Sequence, residues 1–560
     1  MKKLYLFFAL LMFVEYTATA QITTPEKYYK RGVVVCAKPE AAKAGVAILK
    51  KGGNAVDAAV AVQFALAVVY PVAGNIGGGG FMVYRSGKGK TATLDFREKA
   101  PELATRDMYL DSSGNAITKM SLFGQKAAGV PGSVAGMVQA HGRYGKLSWR
   151  KLLQPAIDLA EKGYPLTARQ AADFNRNKTT FVQYNPLGTA LVKDADWKEG
   201  DIFTQPELAR TLRLIRDHGR AGFYSGAVAD SLVKEMNRGK GIITKKDLQN
   251  YRAVWRRPVT GKYKGYGIIT MPPPSSGGIG LVQLLHSVAP YPLTRWGVNA
   301  DSTVQVMVEA ERRVYADRAT HLGDPDFYKV PQKTLLSTAY QNKRMSTFTW
   351  DKATPSSEVA AGAIPKKEHE ETTHFSIVDK DGNAVSITTT LNNSYGSFVF
   401  VKGAGFLLND EMDDFSVKPG TPNMYGLIGG EANAIKPNKR MLSSMTPAII
   451  TKKGKLFMVV GTPGGSTIIT SVFQAILNVV AFNKPIQEAV ATPRFHSQWL
   501  PDQVEVEKGV LTEQALQKLS AKGYKITPRG SIGRVDAIVK TKKGYQGGAD
   551  PRGEDASIGY

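Results

Sequence analysis

Two neighbouring threonines, Thr372 and Thr373, stand between a segment rich in Pro, Ser, Lys, Glu and Gly at 353–371 and a β-type run that begins at Phe375. A threonine hydroxyl alone is a poor nucleophile. It becomes a good one when the chain is cut before it, because the freed α-amine, with an ordinary pKa of about 7.7–8.0, serves as its general base. Self-cleavage of that kind needs a yielding stretch upstream, and 353–371 reads as an exposed, flexible segment.

Competing chemistries fail on spacing. His369 and His374 flank Glu370 and Glu371, but they lie five residues apart, off one helical face and outside the H-E-x-x-H zinc pattern. The loop at 461–467 lacks the lysine of a phosphate loop, and the glycine-rich run at 74–80 does not follow a strand as a dinucleotide fingerprint should. Asp379-Lys380-Asp381-Gly382 is too short for a calcium loop and reads as a hairpin turn. No G-x-S-x-G elbow occurs. The single cysteine, Cys36, excludes an intrachain disulfide framework and a Cys-rich zinc module. No metal site is expected.

The scaffold is large: 560 residues would hold several average domains or one extended α/β core. With 43% hydrophobic and 22% charged residues, wholesale disorder is excluded. The 73 Lys and Arg against 48 Asp and Glu give a net charge of +25. The basic residues are dispersed, and no nucleic-acid-binding motif accompanies them, so the charge reads as a solvated surface. Residues 1–20 read as an export signal: Lys2 and Lys3, an apolar run at 4–14, and the small-residue site Ala18-Thr19-Ala20. The apolar run is too short to span a bilayer, so the mature chain is expected to be soluble, periplasmic or secreted, with no stable membrane anchor.

Hydrophobic periodicity places the elements. An amphipathic helix at 38–51 stops at Gly52-Gly53, and Asn54 starts an almost wholly apolar helix at 55–69 that must be deeply buried. Four glycines at 77–80 lead into a strand at 81–84; a turn and a second strand at 92–96 deliver Arg97 at their end. Residues 130–350 read as mainly helical, interrupted by the turn-rich run at 271–278. From Thr372 the pattern switches to strands at 375–378, 384–390, 448–451, 456–460, 535–540 and 545–549, with an apolar helix at 468–482. No Pro-rich linker separates the halves.

Read together, Thr372-Thr373-His374-Phe375-Ser376, Thr390-Leu391-Asn392, Asn409-Asp410-Glu411-Met412-Asp413-Asp414-Phe415, Leu442-Ser443-Ser444-Met445-Thr446-Pro447 and Gly461-Thr462-Pro463-Gly464-Gly465-Ser466 form a set. That set resembles the small-subunit signature of the gamma-glutamyltransferase (gamma-glutamyltranspeptidase) family of N-terminal-nucleophile hydrolases. Upstream, Gly74-Asn75-Ile76-Gly77, Asp95-Phe96-Arg97-Glu98 and the Pro272–Gly278 run fit the same family, as do Pro493-Arg494-Phe495-His496 and Asp550-Pro551-Arg552 downstream.

The resemblance implies an α+β, four-layer αββα fold, one core built from two autoprocessed subunits. Cleavage between Glu371 and Thr372 would leave a large subunit, 21–371, and a small catalytic subunit, 372–560, as a heterodimer. It implies that Thr372 is the nucleophile, that Thr390 helps activate it, and that Gly464 and Gly465 form the oxyanion hole. Arg97 with Ser443 and Ser444 would take the α-carboxylate of a γ-glutamyl donor; Asp414, Glu411 and Asn392 would take its α-ammonium. The run at 419–430 matches a lid, with Tyr425 over the bound group. The implied activity is transfer and hydrolysis of glutathione and other γ-glutamyl compounds, with water, amino acids or dipeptides as acceptors and without cofactor. Two alternatives stand beside it: a related acylase of the cephalosporin or glutaryl-amide type, and a noncatalytic exported binding protein or adhesin.

Overall fold

The helix Ala55–Val69 is buried along its whole length. Its start is set locally: the Asn54 side-chain oxygen accepts from the backbone N–H of Val56 and Asp57, and the Asp57 carboxylate accepts from Asn54 N–H. This reciprocal cap satisfies donors that would otherwise be orphaned inside the protein. The computed structural model describes residues 27–359, 372–418 and 430–560. The export signal at 1–20, Glu371, and Tyr425 in its lid run lie outside the described residues.

Around that helix the chain builds two stacked sheets. The first has the strand order Ala556–Gly559, Val33–Cys36, Thr373–Val378, Ala384–Thr390, Gly79–Arg85, Thr91–Asp95, Val254–Arg256, all antiparallel. The second runs Tyr545–Gly548, Asp536–Lys540, Lys455–Gly461, Ala448–Lys452, Tyr266–Thr270, Val259–Tyr263.

Alternation along the strands sorts the side chains into layers. Val34, Cys36, Met82, Tyr84, Phe375, Ile377, Val385 and Ile387 pack with the helices Pro39–Lys50, Ala55–Val69, Ser133–Tyr144 and Trp149–Lys162. Their neighbours Val33, Val35, Phe81 and Val83 join the core that contains Ile449, Met458, Val460 and Ile538 of the second sheet. The helices Gly277–Val288, Asp301–His321 and Ile468–Val480 close the far side. The result is helix, sheet, sheet, helix. Strands from 21–371 and from 372–560 share both sheets, so neither portion owns a core of its own. Among the described residues, no helix is long and apolar enough to cross a membrane.

The stretch 130–350 is mainly helical, as expected, but it also contains the unexpected strands Val254–Arg256, Val259–Tyr263 and Tyr266–Thr270. Two of them are sheet edges, and Val259–Tyr263 has its middle residues partly exposed, so the apolar alternation that announces a strand is diluted by Lys, Gly and Thr. The segment 353–359, expected to be exposed, is not exposed throughout. Thr354, Ser356 and Val359 are buried. Ser356 N–H donates to Asp502 at 2.7 Å, and its hydroxyl accepts from Arg312 at 2.6 Å. A polar composition suggests solvent, but here long-range partners satisfy it. Residues 360–371 lie outside the described residues.

Candidate active site

The hairpin formed by Thr373–Val378 and Ala384–Thr390 pairs Thr373 with Thr389 and His374 with Thr388. One step beyond, Thr372 and Thr390 face each other across the strand ends. Both are buried, and the Thr372 hydroxyl donates to that of Thr390 over 3.5 Å. Thr390 Oγ1 also accepts from Asn392 N–H at 2.8 Å, in a turn where Asn392 takes a left-handed φ of +80°.

Asn75 locks this end of the hairpin: its amide donates to the Thr390 carbonyl at 3.0 Å and to Thr389 Oγ1 at 3.1 Å, while its oxygen accepts from Ser133 and from Gly78 N–H. Here the glycine run has a physical cause. A Cβ on Gly78 would lie 2.1 Å from the Thr390 carbonyl oxygen, so only glycine lets the backbones cross.

The second wall is the loop from the strand Lys455–Gly461 to the helix Ile468–Val480. Gly464 and Gly465 adopt φ of +136° and +50°, which suits residues without Cβ and turns the backbone toward the cavity just before a helix N-terminus. Gly461 packs against the His374 ring, where a Cβ would stand 2.3 Å from Cε1. His374 sits between the sheets, with Nδ1 2.9 Å from Thr388 Oγ1 and Nε2 3.0 Å from Ser376 Oγ. Burial keeps it neutral, pushing its pKa down to about 3.

At the opposite end, the Gly79–Arg85 and Thr91–Asp95 hairpin delivers Arg97. Its backbone N–H donates to Asp95 at 3.0 Å, and its carbonyl accepts from Tyr251 at 2.7 Å. The buried guanidinium pairs with Glu411 and Asp414, donates to the Leu442 carbonyl at 3.1 Å, and stands 3.7 Å from Glu98. Burial opposes the Arg97 charge, but Glu411, then Asp414 and Glu98, more than restore it, so its pKa is raised. Burial lifts the carboxyls against the pull of Arg97: Glu98 to about 8, Glu411 well above the usual range, and Asp414 upward.

The tandem serines are held from behind. Ser443 N–H donates to the Pro274 carbonyl at 3.0 Å; the Ser276 N–H and hydroxyl both donate to the Ser443 carbonyl at 2.7 Å; and Ser275 donates to the Met445 carbonyl at 2.6 Å. The Pro272–Gly278 run is therefore a clamp for residues 443–445.

Arg97, Asn392, Asp414, Ser443 and Ser444 share with Thr372, Thr390 and Gly465 the lining of one small cavity. Gly464 immediately precedes Gly465 in the same loop, and Glu411 lies behind Arg97. Sequence reading did not single out Arg318, which donates to Ser276 and Ser444, nor the supporting roles of Asn75, Ser276 and His374. No spacing distinguishes Arg318 from Arg312 and Arg313 in the same helix.

A hydroxyl pair, glycine backbone at a helix start, and a guanidinium facing carboxyls form a site suited to acyl transfer from a zwitterionic donor. With two antiparallel sheets between helical layers, this is the architecture of the N-terminal-nucleophile hydrolases. The chain belongs to the gamma-glutamyltranspeptidase family, whose family model matches residues 41–560. It is 46% identical to a glutathione hydrolase proenzyme of Escherichia coli, over 95% of this chain and 92% of that protein. Among solved structures, a cephalosporin acylase from Bacillus halodurans aligns with a TM-score of 0.84 at 27% identity, over 98% of this chain and 99% of its own. A chain of the Helicobacter pylori gamma-glutamyltranspeptidase aligns with a TM-score of 0.59 at 46% identity, over 60% of this chain and 97% of its own.

Proposed function

We propose that the protein hydrolyses glutathione and other γ-glutamyl compounds and transfers their glutamyl group, after cleaving itself between Glu371 and Thr372 into subunits 21–371 and 372–560. The observation that carries this reading is the shared cavity, in which the Thr372–Thr390 hydroxyl pair lies alongside Arg97, Asp414 and the tandem serines.

In the first step the Thr372 hydroxyl attacks the γ-glutamyl carbonyl, and its own α-amine takes the proton. The oxyanion is received by N–H groups of Gly464 and Gly465, where one such donor is commonly worth about 2.7–4 kcal/mol. Collapse breaks the amide bond, the leaving amine takes the proton, and a γ-glutamyl ester remains on Thr372. Water returns the acid; an amino acid or dipeptide amine carries the glutamyl group away. Arg97, Ser443 and Ser444 hold the donor's α-carboxylate, and Asp414 and Asn392 hold its α-ammonium, with Glu411, expected to touch the ammonium, standing behind Arg97 instead. The segment 1–20 directs export.

The likeness to a cephalosporin acylase favours a second reading, hydrolysis of glutaryl-type amides. A glutaryl group is a glutamyl group without its ammonium, so the Asp414 carboxyl argues against it. Assay of a chromogenic γ-glutamyl anilide beside the glutaryl anilide separates the two: the first is expected to turn over and the second not. Thr372→Ala is expected to remain one uncut chain. Full processing of that variant would remove Thr372 from the nucleophile role.

A further inference from the structure

The α-carboxylate end of the cavity has a shortage of positive charge. Arg97 faces Glu411, Asp414 and Glu98 at once, one guanidinium among three carboxyls. Its N–H groups are mostly taken up by Glu411, Asp414 and the Leu442 and Met441 carbonyls, so few remain for another anion. The neighbouring Ser443 and Ser444 are neutral, and a hydroxyl attracts a carboxylate only when its O–H points at it; turned the other way, its lone pairs repel.

Arg318 bears on both problems. It lies on the helix Asp301–His321, is 6% exposed, and reaches the serines from behind the cavity wall. Its Nε donates to Ser276 Oγ at 3.0 Å and its Nη2 to Ser444 Oγ at 3.2 Å. A guanidinium offers no acceptor, so both hydroxyls must accept from it and turn their protons elsewhere. The Ser276 proton goes to the Ser443 carbonyl at 2.7 Å. Ser444 lines the cavity, which is where its proton is left to point. Ser443 repeats the pattern, its Oγ accepting from Met445 N–H at 3.2 Å. The Arg318 charge also favours the ionised form of Asp414.

We propose that Arg318 is the positioning residue of the α-carboxylate subsite: by donating to Ser444 from behind, it turns that hydroxyl into an obligate donor toward the substrate and adds the positive potential that Arg97 shares among its carboxyls. This rests on the γ-glutamyl reading of the cavity. Arg318 acts through Ser444 and Ser276 rather than on the reacting carbonyl, so its effect belongs in donor affinity.

The test compares a γ-glutamyl anilide with the matching 4-aminobutyryl anilide, which keeps the ammonium and lacks the α-carboxylate. For processed Arg318→Met, KM for the γ-glutamyl donor is expected to rise about 10- to 100-fold, the loss of a charge-assisted hydrogen bond, with kcat little changed. kcat/KM for the 4-aminobutyryl donor should fall far less, through the weaker ionisation of Asp414 alone. Arg318→Lys keeps the charge but cannot reach both hydroxyls, so its KM should fall between; it answers the question if Arg318→Met does not fold. Equal losses on both donors, or an unchanged KM for the γ-glutamyl anilide in a folded variant, would overturn the assignment. Wild-type protein that turned over no γ-glutamyl donor would instead sink the functional reading, and this subsite with it.

Discussion

Thr372 and Thr390 oppose each other one residue beyond the last ladder pair of the central hairpin, with their hydroxyls 3.5 Å apart. Because each strand alternates its side chains, this register puts both hydroxyls on the inter-sheet side with His374, Ser376, Ser386 and Thr388. Thr390 is held by Asn392 N–H and by Asn75 through its carbonyl, so its oxygen has a defined position relative to Thr372.

Thr390→Val keeps the shape and removes the hydroxyl. Loss of a positioned proton partner is expected to lower kcat by about 10²-fold or more. KM for the donor should change little, and cleavage of the precursor should slow in parallel. Thr390→Ser should restore most of both. Stopped-time gels and steady-state assays read the two effects, and unaltered kcat in Thr390→Val would remove the residue from the reaction.

The contact between Gly461 and His374 is as tight as backbone against an imidazole allows. Gly461→Ala places a Cβ 2.3 Å from the ring, which is pinned by Thr388 and Ser376 and cannot swing away. Overpacking of this kind is expected to cost about 1–3 kcal/mol and to displace the loop carrying Gly464 and Gly465, lowering both Tm and kcat. His374→Ala on the same background should recover part of the Tm, a non-additive pair. Additive losses would mean that the two residues do not share the strain.

Glu98 gives a pH dependence with a fixed sign. Burial raises its carboxyl to about 8 from an ordinary value near 4.5. Between those two values the folded state binds more protons than the unfolded state, so this group's stabilising contribution is complete at acid pH and is lost as pH rises toward 8. Glu98→Gln mimics the protonated form. Its Tm is expected to fall less than that of the wild type between pH 5 and pH 8, read by calorimetry at matched ionic strength. Parallel Tm profiles would show that Glu98 is ionised throughout.

Arg97→Met removes the cation that Glu411, Asp414 and Glu98 face. Leaving buried carboxyls without their partner costs about 3–5 kcal/mol in comparable cases. The loss should be larger at pH 8 than at pH 5, where the carboxyls can take up protons, and affinity for a γ-glutamyl donor should fall at both. Retained donor affinity would argue that Arg97 holds the acidic residues and not the substrate.

Much of the layout was legible in local pattern. The apolar run at 55–69, the hairpin that ends at Arg97 and the hairpin that begins after Thr372 all follow from periodicity and turn residues, and the structure has them within one or two residues of the expected bounds. The strands at 254–270 were not legible, because the half-exposed edges Val254–Arg256 and Val259–Tyr263 carry diluted alternation, and Val254–Arg256 and Tyr266–Thr270 pair with the remote Thr91–Asp95 and Ala448–Lys452. The anchoring of 353–359 was hidden for a similar reason: its partners Arg312, Trp499 and Asp502 lie far from it in sequence.

The site divides the same way. The family resemblance marked Thr372, Thr390, Arg97, Asp414, the tandem serines and the glycine pair, each through the short run it belongs to. Tertiary structure alone decided what stands behind them: His374 under Gly461, Asn75 on the Thr390 carbonyl, three carboxyls around one guanidinium, and Arg318 behind Ser444. The physical reason is range. Periods of 2 and 3.6 residues and turn chemistry act within a few residues and fix which face of an element is apolar. Which faces meet, and therefore which buried polar group finds which partner, is set by the packing of segments hundreds of residues apart.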